Sequence, residues 1–229
     1  MLNLKKIYLL FALILSCFVF ISACVTTETK EKFTVDLRSP QIPIGDIEAQ
    51  FNTFMSFGGL KKHLVTLIYF PREDAVCLQY RREFTTYHQF WSKSGRQAFI
   101  DALVNYNTSY NERTLVPQNR RTIRNFGSVE SYLYWQMYKF TVQAKSNVKL
   151  ELGYQFKDNS PYFSIYQREA EFKEEMTRDL NRNSPAITLY FTRAQAAELA
   201  EKFDTAYLRE LTSGDIKDSE LPDGDRDRY

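Results

Sequence analysis

From Val148 to Phe156 the chain alternates without a break, with Val148, Leu150, Leu152, Tyr154 and Phe156 set against Lys149, Glu151, Gly153 and Gln155. Side chains leave a strand with a period of two, so this pattern suits a strand with one buried and one wet face. That is the usual condition of an antiparallel sheet. The segment therefore demands partner strands and an apolar layer beneath it. Its neighbours supply further strands. Tyr134–Ala144 alternates through Tyr138, Phe140 and Val142, with Lys145-Ser146-Asn147 as the turn between the two. Tyr162–Ala170 and Ala186–Phe191 are read as the third and fourth strands of this half, separated by a charged excursion from Glu171 to Ser184.

The first half carries weaker forms of the same signals. His63–Phe70 is apolar on both faces and reads as a central strand. Pro71-Arg72-Glu73-Asp74 is a polar turn. After it, Val76, Leu78, Tyr80 and Phe84 alternate with Cys77, Gln79, Arg81 and Glu83, which completes a hairpin and can extend through Tyr87 to Trp91. Ile47, Phe51, Phe54 and Met55 fall at helical spacing, so Asp46–Phe57 is read as a helix. Two hydroxyl-x-x-Gln patterns, Ser94-Gly95-Arg96-Gln97 and Thr192-Arg193-Ala194-Gln195, resemble capping boxes. The apolar stripes that follow are Phe99, Ala102, Leu103 and Tyr106, then Ala196, Leu199, Ala200, Phe203 and Tyr207. Asn107–Val129 has no period and is read as a long surface loop.

The expected fold is α+β: a mainly antiparallel sheet with two capped helices. The similar helix starts SGRQAF and TRAQAA hint at a divergent internal duplication. Hydrophobic residues make up 44% and charged residues 25%, which excludes bulk disorder. Residues 46–212 are expected to form one globular domain, followed by a flexible tail at 213–229.

The N-terminus decides the address. Lys5 and Lys6 precede the apolar run Ile7–Phe20, which ends in Ile21-Ser22-Ala23-Cys24. A basic start, an apolar stretch and small residues at its end mark a secretory signal. Ile21-Ser22-Ala23-Cys24 resembles the lipobox of bacterial lipoproteins. The resemblance implies cleavage after Ala23 and lipid on Cys24, with residues 1–23 as signal peptide and 24–45 as lipidated N-terminus and tether. Val25, in place of Asp after the Cys, resembles sorting to the outer membrane of a bacterial envelope. Cleavage would remove Lys5, Lys6 and no acid, so the formal charge of +2 falls to zero. Cys17 leaves with the signal, and Cys77 is then the one free thiol, which rules out an intrachain disulfide.

Chemistry is sparse. Cys77 with His63 or His88 is the one Cys–His nucleophile pair available, and the same three residues are the one scattered set of metal ligands. Their spacings match no familiar motif, so Cys77 is read as a small strand residue and no catalytic, metal or cofactor residue is assigned. Asp223, Asp225 and Asp227 imitate the start of a calcium loop, but the chain ends at Tyr229, before its closing Glu. Glu169-Glu171 and Glu174-Glu175 lie in the charged excursion. From Ser131 to Leu211 the order of four strands and a helix resembles the repeat of PUR-type and Whirly-type single-strand binders. The balanced mature charge and the export signal argue against nucleic acid as partner.

The expected function is a membrane-anchored lipoprotein with a non-catalytic binding or envelope-structural domain. Its partners would be the membrane, through lipid, and an envelope protein or extracellular ligand. Tyr132, Tyr134, Trp135, Tyr138 and Tyr162 are the candidate contact residues, because tyrosine and tryptophan give large contact area at low entropic cost. The alternative is an exported hydrolase.

Overall fold

The computed structural model describes residues 33–53, 59–117, 126–137, 143–171 and 183–213. Eight strands and three helices follow in order: β1 (Ile42–Phe51), β2 (Lys61–Phe70), β3 (Ala75–Arg82), β4 (Thr85–Trp91), α1 (Lys93–Asn111), β5 (Gly127–Met137), β6 (Gln143–Lys157), β7 (Ser160–Gln167), β8 (Ile187–Phe191), α2 (Arg193–Phe203) and α3 (Thr205–Ser213). Each strand pairs antiparallel with the next. A Gln50–Tyr190 pair joins β1 to β8, so the sheet closes into a barrel. The expected α+β sheet with two capped helices is thus corrected to a closed eight-stranded antiparallel barrel with three helices. Alternation reports which face of a strand is buried. It is silent on whether the last strand returns to the first, which is how a barrel removes exposed edges.

The same ambiguity explains the misread first element. Ile47 and Phe51 are four apart, a spacing that satisfies a helix and also a strand, because four is a multiple of two. Asp46–Phe51 belongs to β1, where Ile47, Ala49 and Phe51 are all buried on the inward face. Phe54 and Met55 lie outside the described residues. β1 carries a register shift between Pro43 and Gly45, and Gly45 takes φ +109°, a bulge conformation that a side chain would oppose.

Other boundaries move for local reasons. Glu83, at φ +57°, turns the chain between β3 and β4, so the second hairpin strand is two strands and Phe84 sits exposed at the turn. Lys145-Ser146-Asn147 is not a turn. It pairs with Tyr134, Leu133 and Tyr132 inside a β6 longer than expected. The tight turn lies at Asp158-Asn159, both at positive φ, joining the paired residues Lys157 and Ser160. That left-handed backbone conformation matches the right-handed twist of the two strands in a two-residue hairpin, and Asp and Asn tolerate it. The expected final helix breaks at Asp204, which is extended at ψ 134°. Its carboxylate accepts from the N–H groups of Ala206 and Tyr207 and starts α3.

Inside the barrel the expected faces hold. Val148, Leu150, Leu152 and Tyr154 are buried, as are the α1 stripe Phe99, Ala102, Leu103, Tyr106 and the α2 residues Ala196, Leu199 and Phe203. All belong to one apolar cluster. Phe99 is its hub, meeting Trp91, Phe163 and Phe203 edge-on at centroid distances of 5.1–5.9 Å. Both helices begin alike. Ser92, two residues earlier than the expected cap, accepts from Gly95 N–H. Thr192 accepts from Gln195 N–H while the Gln195 side chain accepts from Thr192 N–H, a full capping box.

Two polar features cross this core. Gln89 of β4 donates to Gln167 of β7, accepts from Trp91 Nε1, and Gln167 donates to Ser184. β4 and β7 are not sheet neighbours, so these bonds run across the interior. The second is Arg96, whose side chain is 1% exposed. Its Nε donates to Phe203 O, its Nη1 to the carbonyls of Asp74 and Trp91, and its Nη2 pairs with the Asp74 carboxylate at 2.6 Å. Asp74 itself sits at φ +45° in the β2–β3 turn.

Replacing Arg96 by Met keeps the stem volume and strands these acceptors. The Asp74 carboxylate is 40% exposed and can be rehydrated, so the main cost is the buried carbonyls left without a donor, ~1–3 kcal/mol. Arg96→Met is expected to lower the urea midpoint more than Lys93→Met one turn away, which should stay within ~0.5 kcal/mol. Equal midpoints for the two variants would refute the role given to Arg96.

Candidate functional site

The lipidation candidate Cys24 lies outside the described residues, as do Tyr138, Glu174-Glu175 and Asp223, Asp225 and Asp227. Cys77, His63 and His88 are all described, and the barrel wall separates His63 from the other two. His63 shares the inward face of β2 with Val65 and Leu67 and stacks on Phe51, rings 3.9 Å apart. Cys77 faces outward from β3, opposite Phe90, and is fully buried in a second apolar cluster. His88 also faces outward, opposite Gln79, with its ring edge-on to Tyr134 at 5.3 Å. Among the described residues, no three His, Cys, Asp or Glu side chains gather as metal ligands.

Burial sets the protonation of all three. It pushes the Cys77 thiol well above its ordinary range, so the thiolate a nucleophile needs is disfavoured. It lowers the His88 imidazole to about 4. His63 is lowered by burial first and by the charge of Lys61 second.

The second cluster lies on the outer side of the barrel. A sheet face that fronts water should be polar, yet Phe70, Ala75, Cys77, Phe90 and Tyr132 form an apolar lane across β2–β5. The N-terminal segment covers it. Phe33, Val35 and Leu37 pack on the lane, and Val35 is buried. A bend holds this strap, with Ser39 N–H donating to Asp36 O and Arg38 N–H to the Asp36 carboxylate. Ser39 Oγ donates to Glu73 in the β2–β3 turn. Residues 33–45, read from sequence as the end of a tether, therefore lie on the domain, and the unit that contains the barrel begins at Phe33. The alternation of Phe33, Val35 and Leu37 was the available signal.

Beside the strap a cleft of about 370 Å³ opens between it and β5–β6. Asp36, Arg38, Tyr132, Tyr134, Gln143 and Lys145 line it. Two of the expected contact tyrosines thus meet at one place. Trp135 instead points into the core, and Tyr162 is half-buried on β7 opposite Gln155. Charge of both signs beside two phenol rings suits an amphipathic segment better than a simple ion. Burial also raises both phenols' pKa, Tyr132 further influenced by Tyr134, so both remain neutral donors.

A family model described as an uncharacterised Treponema protein matches residues 27–210, and the chain belongs to that family. No curated protein and no solved structure matches the chain.

Two outcomes follow from the buried groups. Cys77 should react with a mild alkylating agent at neutral pH only on the timescale of unfolding, so labelling accelerates in urea in step with loss of circular dichroism. Rapid labelling of the native chain would contradict the strap-covered placement. His88 is neutral in the fold and binds protons more readily when unfolded, so stability should be full above pH 6.5 and decline as pH falls toward 4. His88→Gln should flatten that decline between pH 6.5 and 5, measured by urea unfolding at each pH.

Proposed function

We propose that the chain is an exported, lipid-anchored bacterial lipoprotein whose barrel is a non-catalytic binding or envelope-structural domain. The observation that carries the binding reading is the cleft at the strap, where Tyr132 and Tyr134 meet Arg38, Asp36 and Lys145. The anchor rests on Ile21-Ser22-Ala23-Cys24, and Val25 favours the outer membrane. Among the described residues no helix is long and apolar enough to cross a membrane.

The strap gives the anchor a mechanical meaning. Eight residues separate Cys24 from Phe33. A fully extended chain spans at most ~3.5 Å per residue, so lipid on Cys24 would hold the domain within about 30 Å of the bilayer. The strap would pass tension from the lipid to the flank of β2–β5, and the cleft it borders would stay near the membrane surface. The exported-hydrolase alternative is less favoured, because Cys77 is buried on the opposite face of the sheet from His63, and burial disfavours both its thiolate and a protonated His88.

Acyl burial contributes ~0.8 kcal/mol per CH₂, and stable attachment takes more than one chain. Cys24→Ala should therefore abolish incorporation of labelled fatty acid, leave the signal uncleaved and shift the mass accordingly. Unchanged labelling and mass in that variant would reject the anchor.

A further inference from the structure

The sixth strand outruns one of its neighbours. β6 pairs with β5 along residues 143–152, but its ladder to β7 begins only at Leu150. β7 ends at Gln167, and the chain turns away to an isolated pair between Ala170 and Ser184. Residues 143–149 are therefore laddered on one side only. Among the described residues no strand pairs with them on the side that β7 has left. At a rise of ~3.3 Å per residue the open edge is about 20 Å long, the length of an ordinary strand.

Every second residue of such an edge turns an N–H and a C=O to the open side. A cavity of about 350 Å³ lies there, between residues 146–149 of β6 and residues 168–171. The side chains along the edge alternate. Ala144 and Val148 point inward and are buried, with Ser146 half-buried between them. Lys145, Asn147 and Lys149 point outward and are exposed. Lys145 stands opposite Tyr134 and Lys149 opposite Glu130 on β5. Neither lysine forms a salt bridge among the described residues. Across the gap Arg168 is already paired with Glu151, and Glu169 and Glu171 are exposed.

An unpaired edge is a template for another strand. A second copy of this chain is a poor occupant. Antiparallel pairing of two copies over this stretch would gather four lysines on one outward face, and facing like charges destabilise a sheet. A strand with carboxylates in those positions reverses the sign. We infer that the free edge of β6 takes an extended segment of a partner protein as an added antiparallel strand, with acidic residues opposite Lys145 and Lys149. Main-chain bonds along the edge supply affinity, and the alternate side chains supply selectivity. Small or β-branched residues between the acids face inward beside Ser146 and Val148. The exposed Glu169 and Glu171 disfavour a uniformly acidic segment, so acidic and apolar positions alternate in the occupant. This site is the β6 edge and not the strap cleft, and it does not depend on the lipid anchor.

The test is fluorescence anisotropy of a labelled peptide, Thr-Glu-Val-Thr-Val-Glu-Thr, titrated with the full-length chain in detergent micelles at pH 7. It should bind saturably, and the same peptide with Lys in place of Glu at least tenfold more weakly. N-methylation removes a backbone donor, so two further forms of the acidic peptide are methylated at one or the other alternate set of amides. The set that faces β6 should lose binding. Lys149→Glu, an exposed change at a residue that lines the gap and not the strap cleft, should weaken the acidic peptide several-fold. Hydrogen exchange of the amides in residues 143–149 should slow when the acidic peptide is bound. No saturable binding, equal binding of the lysine peptide, full affinity in both methylated forms, unchanged affinity in Lys149→Glu or unchanged exchange would each overturn the assignment. A chain that self-associates with residues 143–149 already protected would give the edge to a second copy and overturn it as well.

Discussion

Arg96 joins three parts of the chain that lie far apart in sequence. Its guanidinium reaches the β2–β3 turn through Asp74, the end of β4 through Trp91 O and the end of α2 through Phe203 O. It is the one charged residue among the buried polar side chains of the described residues. A charge in such a place is tolerated only when its donors are satisfied. Each bond therefore also specifies where an element must end. Asp74 takes its left-handed turn, α2 stops at Phe203, and α1 starts directly after Trp91. The hub of rings around Phe99 assembles within this frame, since Trp91 and Phe203 both belong to it.

The interior bonds among Trp91, Gln89, Gln167 and Ser184 act in the same sense on the other strands. An apolar barrel core would permit a strand to slip by two residues with little loss of burial. A Gln on β4 that must meet a Gln on β7 across the interior does not permit it. Packing supplies the bulk of the stabilisation, and these few polar contacts select one register.

Outside the barrel the N-terminal strap converts an apolar sheet face into a second small core. The strap buries Cys77 and thereby removes the chain's one described thiol from chemistry. It also forms one wall of the cleft that holds Tyr132 and Tyr134. The segment nearest the proposed anchor is thus part of the proposed contact surface.

Periodicity alone determined the local facts. It placed Val148 to Tyr154 with one face inward, the stripes of α1 and α2, the Pro71–Asp74 turn and the capping box at Thr192, because each depends on residues within a few positions of one another. It left β1 ambiguous, since Ile47 and Phe51 satisfy both periods, and it merged β3 with β4 because Glu83 is an unusual residue for a left-handed turn. The proposed address motif ending at Cys24 is likewise a local pattern. Tertiary structure decided what depends on distant pairs. Gln50 meets Tyr190 and closes the barrel, Arg96 meets Asp74 and Phe203, and Phe33 to Leu37 meet a lane drawn from four strands. These contacts join residues from 22 to 140 positions apart, and no spacing rule reaches that far. Whether Cys77 and His63 share a face was decided there too, because the parity of two neighbouring strands is set by their register and not by either strand's own sequence.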